Sequence, residues 1–144
     1  MDKLEKKQEQ MCRALLMLND AIDQFARIAQ LESSPIDFVE HEDLYRTYRN
    51  SLVHCFEISV DLFWKYIKRK TESVSEKAIE FNAPAPTIRT AFSIGILSED
   101  EAAMALQMIK DRNMTSNIYK EEIAEHLVGK IPGYYKVMQA VVER

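Results

Sequence analysis

A chain of 144 residues has the length of one ordinary domain, and one core of that size buries roughly two-thirds of the surface the unfolded chain exposes. Hydrophobic content of 47% and charged content of 29%, with only three Gly and four Pro, leave too few turn formers for an all-β sandwich and fit a helical bundle. The net charge of −4 excludes a whole-chain basic character, so any RNA contact is expected to be local and weak.

Met11, Leu15, Leu18, Ile22, Phe25 and Ala29 recur at spacings of three and four, which predicts a first helix over 3–31 with one buried face. Glu32-Ser33-Ser34-Pro35 should break it, because proline lacks the amide hydrogen and pushes its predecessor out of helical geometry. A second helix is expected over 40–71. Its stripe of Leu44, Tyr48, Leu52, Cys55, Ser59, Leu62 and Tyr66 is widened by Phe56, Phe63 and Ile67, so this helix is expected to be central.

Asn82-Ala83-Pro84-Ala85-Pro86 reads as a loop, with Pro86 in the first turn of a short helix carrying Ile88, Ala91 and Phe92. Gly95 is the expected left-handed cap, and Ser98 with Glu101 has the spacing of a capping box opening a helix through Met104, Ala105, Met108, Ile109 and Arg112. A last helical region holds Ile123, Leu127, Ile131, Tyr134, Tyr135, Met138, Val141 and Val142, with a kink or break expected at Pro132-Gly133. The expectation is one all-α domain over 1–144, an antiparallel up-and-down bundle of about five helices, with helices one and two packed on the 99–112 and C-terminal helices.

No apolar run is long enough to span a bilayer, and Met1–Lys7 lacks the apolar stretch of an export signal, so no membrane association and a cytoplasmic location are expected. Cys12 and Cys55, both in apolar-periodic surroundings, are expected as reduced, packed thiols. His41, His54 and His126 fall in no metal-ligand spacing, so no metal is expected, and His54 is read as a hydrogen-bonded interior or interface residue. Glu57 and Asp61 share a helix face, where they could serve acid–base chemistry, hold a cation, or meet Lys or Arg from a neighbouring helix. There is no glycine-rich phosphate loop, nucleophile elbow or recognisable Cys–His pairing, and no cofactor is implied.

The run Asp111-Arg112-Asn113-Met114-Thr115-Ser116-Asn117-Ile118-Tyr119 is the most informative segment. It sets a guanidinium, an amide and a phenol within about two helical turns of each other. Its Asn, Thr and Ser residues are also what a C-cap followed by an N-cap requires.

The run is similar to the "DRNLTSHTY" signature of the nucleotidyltransferase substrate-binding family, a branch of the HEPN superfamily of small helical proteins. Phe56–Lys65 (FEISVDLFWK) resembles that family's "FEFTFELAWK" helix, and Pro86–Phe92 resembles its "PRDVIREAF" segment, shifted in detail. The resemblance implies a five-helix bundle that forms a homodimer beside a separate minimal nucleotidyltransferase, often as a toxin–antitoxin pair. In active members the signature Arg and His of two subunits cleave RNA without metal, and the signature Tyr can be modified with AMP. Arg112 stands at the Arg position and Tyr119 at the Tyr position.

Where the signature has His, this chain has Asn117, giving a degenerate Arg-x4-Asn-x-Tyr pattern. An amide has no titratable group near neutral pH, and loss of a general acid–base costs about 10²- to 10⁴-fold in rate. The resemblance therefore implies a partner subunit without efficient activity of its own, docking the nucleotidyltransferase through Glu57, Arg112, Asn113, Asn117 and Tyr119, with a nucleotide or RNA as possible ligand. The alternative is a weak metal-independent endoribonuclease using Arg112 and Asn117, or Arg112 with His54 or His41 as a displaced base.

Overall fold

The computed structural model describes residues 2–75, 82–117 and 121–144, with Asn117 described by its backbone only. Helix α1 spans Lys3–Ala29, α2 His41–Val74, α3 Pro84–Ser93, α4 Glu99–Asn113 and α5 Glu121–Glu143, with a single 3-10 turn at Thr115–Asn117. No strand occurs among the described residues.

The helix ends follow local chemistry. The Asp2 carboxylate accepts from the Glu5 amide at 2.8 Å and opens α1. α1 ends two residues earlier than its periodicity suggests, and α2 begins at His41, whose ring nitrogen lies 3.2 Å from the Ile28 carbonyl and ties the two helix ends together. Gly95 has φ +86°, and its amide donates to Phe92 while that of Ile96 donates to Ala91 at 2.9 Å, a Schellman closure of α3. Ser98 and Glu101 form the expected reciprocal box, with Ser98 N–H donating to Glu101 at 2.9 Å and Glu101 N–H to Ser98 Oγ at 3.2 Å. Arg144 holds the same Glu101 at 2.7 and 2.8 Å, which fixes the end of α5 to the start of α4.

α2 is central and packs against α1, α3, α4 and α5. α1, α2, α4 and α5 alternate in direction: Gln8 of α1 reaches Val142 at the far end of α5, and Arg112 at the end of α4 reaches Asp61 midway along α2. Met11, Leu18, Phe56, Phe63, Tyr66, Ile67, Ile88, Met108, Leu127, Ile131 and Met138 are buried in the common core. α1 reaches α5, whereas α4 is reached by α2.

Three expectations need correction. Of the kink or break expected at Pro132-Gly133, the break does not occur: α5 runs unbroken through Pro132, with Ile131 and Tyr134 buried on either side, so core packing carries the helix across the missing backbone donor. Cys12 is exposed rather than packed, and Cys55 is half-buried, because Cys12 lies one position outside the stripe led by Met11; both thiols are free. Of the two readings of His54, the interior one does not hold: His54 is exposed, because its position on α2 faces away from Val53 and Phe56, which are fully buried. No described helix is long and apolar enough to cross a membrane.

Candidate functional site

The end of α4 and the middle of α2 meet in one polar corner. Glu57 and Asp61, one helical turn apart, both point to Arg112. Arg112 Nε donates to Asp61 Oδ1 and Nη2 to Asp61 Oδ2, each at 3.1 Å, a two-point pairing of guanidinium with carboxylate. Nη1 donates to Thr115 Oγ1 at 2.9 Å and lies 3.9 Å from Glu57 Oε2. Thr115 Oγ1 in turn donates to the Arg112 carbonyl at 2.7 Å, a side-chain cap on the last turn of α4. Hydrogen bonding to Asp61 holds the guanidinium above its ordinary range, against the opposing effect of burial.

The charge balance of this corner limits its chemistry. One cation faces two carboxylates, so an approaching phosphate meets a guanidinium already committed to its own chain. Of the readings open for Glu57 and Asp61, the geometry is that of carboxylates meeting a neighbouring helix's arginine. Among the described residues, no group of His, Cys, Asp and Glu could hold a metal ion.

The signature's first residue, Asp111, is almost fully buried and works inward. It accepts from the Tyr134 hydroxyl and from Gln107 Nε2 at 3.2 Å, with Lys130 Nζ 3.8 Å away. Tyr134 stacks on Phe56 with ring centroids 5.7 Å apart, and burial, then Asp111, pushes its phenol above the ordinary range. Asp111 therefore clamps α4 to α5. Asn113 is exposed at the end of α4, and Met114 follows it, 43% exposed. Tyr119 and the side chain of Asn117 lie outside the described residues.

No hydrogen bond or ion pair joins Arg112 to His41 or His54 among the described residues. His41 is tied to Ile28 at the far end of α2. His54 is exposed on α2, one helical turn before Glu57 and about 10 Å of helix rise before Asp61.

A second polar group, unseen from sequence, lines the starts of α2 and α5. Tyr45 donates to both oxygens of Glu125 at 2.7 and 2.8 Å, and the buried Arg49 approaches Glu125 at 3.4 Å. Arg46 donates to Glu121 at 3.1 Å and to Glu42 at 3.0 Å. Together they border a cleft of about 330 Å³. Burial, followed by Glu125, pushes the Tyr45 phenol up to about 12. These partners lie some 80 positions apart, so no local spacing could reveal them.

Comparison with known proteins agrees with this architecture. A protein of Thermus thermophilus, known from its crystal structure, is 27% identical, with a TM-score of 0.64 over 89% of this chain and 98% of that one. The tri-AMPylated HEPN toxin of Shewanella oneidensis, solved in complex with MNT antitoxin, shares the fold at 10% identity, with a TM-score of 0.57 over 97% of this chain and 99% of that one. No curated protein sequence matches. The family described as nucleotidyltransferase substrate binding protein like matches residues 6–144, nearly the whole bundle with its Arg112 corner, and the chain belongs to that family.

Proposed function

We propose that this chain is the non-catalytic helical partner of a separate minimal nucleotidyltransferase, docking it as a homodimer through the surface around Arg112, Asn113, Asn117 and Tyr119. The observation that carries this reading is the saturation of Arg112. A guanidinium bound at two points by Asp61, approached by Glu57 and hydrogen-bonded to Thr115 is a positioned structural group rather than a free anion stabiliser. With Asn117 at the histidine position, the signature supplies no imidazole beside a guanidinium that is already paired with Asp61.

A partner role also suits the exposed residues. Ile58, 41% exposed, adjoins Glu57 on α2, and Met114 adjoins Thr115, so apolar surface flanks the ion pair where a second subunit would close over it. The Shewanella toxin of the same fold is solved with an antitoxin partner and carries AMP groups. By analogy, the Tyr119 phenol is the acceptor this chain would offer to its nucleotidyltransferase.

Co-expression with a tagged minimal nucleotidyltransferase encoded beside it, followed by affinity capture, tests the reading. Stoichiometric co-purification is expected. Absence of the chain from the captured material, together with RNA cleavage by the chain alone that Arg112→Ala abolishes, would replace it with the ribonuclease alternative.

A further inference from the structure

One helical turn beyond Asp61 the character of the α2 surface changes sign. A cleft of about 260 Å³ is lined by Lys7 of α1, Trp64, Lys65, Lys68 and Arg69 of α2, and Asn82. Glu72 is the carboxylate paired there, 3.8 Å from Lys68 and 3.3 Å from Arg69. Asp61, the next carboxylate back along α2, is held by Arg112. Among the described residues, four cations thus surround one carboxylate in a chain whose overall charge is −4. Like charges packed this closely repel one another in the free protein, and an anionic ligand relieves that repulsion.

The cleft also contains an indole. Trp64 is half-exposed, and the Lys65 ammonium rests 5.9 Å from its ring centroid. Lys68 Nζ donates to Asn82 Oδ1 at 2.9 Å, which holds a second ammonium at the rim. An acidic peptide would use the ammonium groups and leave the indole unmatched. A nucleotide strand uses both, because every base has a face that stacks on an aromatic ring while its phosphates pair with the flanking cations.

We propose that this cleft binds single-stranded nucleic acid, with one base stacked on Trp64 and the adjoining phosphates on Lys65, Lys68 and Arg69. The site is separate from the Arg112 corner, its α2 residues lying about 5 to 12 Å from Asp61 along the helix. It does not depend on the partner-subunit reading, since none of its residues belongs to the proposed docking surface.

Trp64 is the chain's single tryptophan, so its emission reports on this cleft alone. The full-length protein is titrated with short mixed-sequence single-stranded RNA and, in parallel, with DNA of the same sequence, following quenching of Trp64 and the anisotropy of a labelled strand. Saturable quenching is expected at low salt. With about three phosphates neutralised, affinity should fall about ten-fold or more between roughly 50 and 200 mM salt. Lys65→Glu, at an exposed position that leaves the tryptophan reporter in place, should weaken binding about ten-fold with the thermal midpoint unchanged. Trp64→Leu should weaken it about ten-fold in the anisotropy arm. Preference for RNA over DNA, or its absence, identifies which strand the cleft takes, and binding of either one supports the site. Absence of quenching at low salt, binding unaffected by Lys65→Glu, duplex DNA binding as tightly as single strands, or polyglutamate competing as well as the oligonucleotide would each overturn the proposal.

Discussion

Arg112 and Asp61 meet fork to fork, Nε on Oδ1 and Nη2 on Oδ2 at the same 3.1 Å, and this contact joins the end of α4 to the middle of α2. Its coupling is measurable. Asp61 is 46% exposed, so solvent screening keeps a double-mutant cycle of Asp61→Ala and Arg112→Ala to about 1 kcal/mol in urea unfolding. A coupling near zero would mean that the two-point geometry does not persist in solution.

Asp111 makes the buried counterpart of that contact. Tyr134→Phe removes its hydroxyl donor and leaves the carboxylate with Gln107 and Lys130, which should lower the unfolding free energy by about 1 to 3 kcal/mol. Calorimetry or urea titration reads the change, and a loss below a few tenths of a kcal/mol would show that Asp111 finds full compensation elsewhere.

Stability should also fall at alkaline pH. The phenols of Tyr45 and Tyr134 are raised above their ordinary value of 10 in the folded chain, Tyr45 to about 12. Their contribution is therefore fully present below pH 10 and is lost as pH rises further and the unfolded chain ionises first. The Tyr45→Phe/Tyr134→Phe variant should be less stable at neutral pH but show a flatter decline above pH 10, measured by denaturant midpoints across the range. A parallel decline in both proteins would contradict the assignment.

At the α2–α5 end, the two glutamates should differ. Glu125→Ala removes the carboxylate facing Arg49, whose side chain is 5% exposed and keeps the neutral Asn50 amide oxygen at 3.4 Å, and also removes the acceptor of Tyr45, for an expected cost of about 2 kcal/mol. Glu121→Ala should cost less than about 0.5 kcal/mol, because Arg46 is 41% exposed and keeps Glu42 and Asp43. Equal losses in thermal unfolding would contradict this ranking.

Most of the fold was legible because its signals are local. The proline break after α1, the Gly95 closure and the Ser98 box each act within a few residues, and the apolar stripes named most of the core. Pro132 does not break α5 because its local penalty is outweighed by the packing of Ile131, Tyr134 and Met138, which periodicity shows as a stripe but cannot weigh. The candidate site was legible only as a set of residue types. Glu57 and Asp61 announced a shared face, but Arg112 as their partner is a contact across some 50 positions, and the buried Arg49 carried no local signal. Asp111 read as part of a motif, while its burial against Tyr134 depends on the α4–α5 approach.

The proposed modification has its own readout. Incubation with the cognate nucleotidyltransferase, ATP and magnesium should add the mass of AMP at Tyr119, and Tyr119→Phe should abolish the shift without altering the dimer. A shift that survives the substitution would move the acceptor elsewhere.

Binding of the nucleotidyltransferase itself decides the central claim. Calorimetric titration of the purified chain with its neighbouring nucleotidyltransferase, with light scattering on the mixture, should give a saturable complex containing two copies of this chain. Substitution of Met114 by Asp should weaken that complex while leaving the helical content intact, since this side chain is exposed beside the Arg112 corner. A monomeric chain that releases no heat and shows no change in mass with the nucleotidyltransferase would contradict the account.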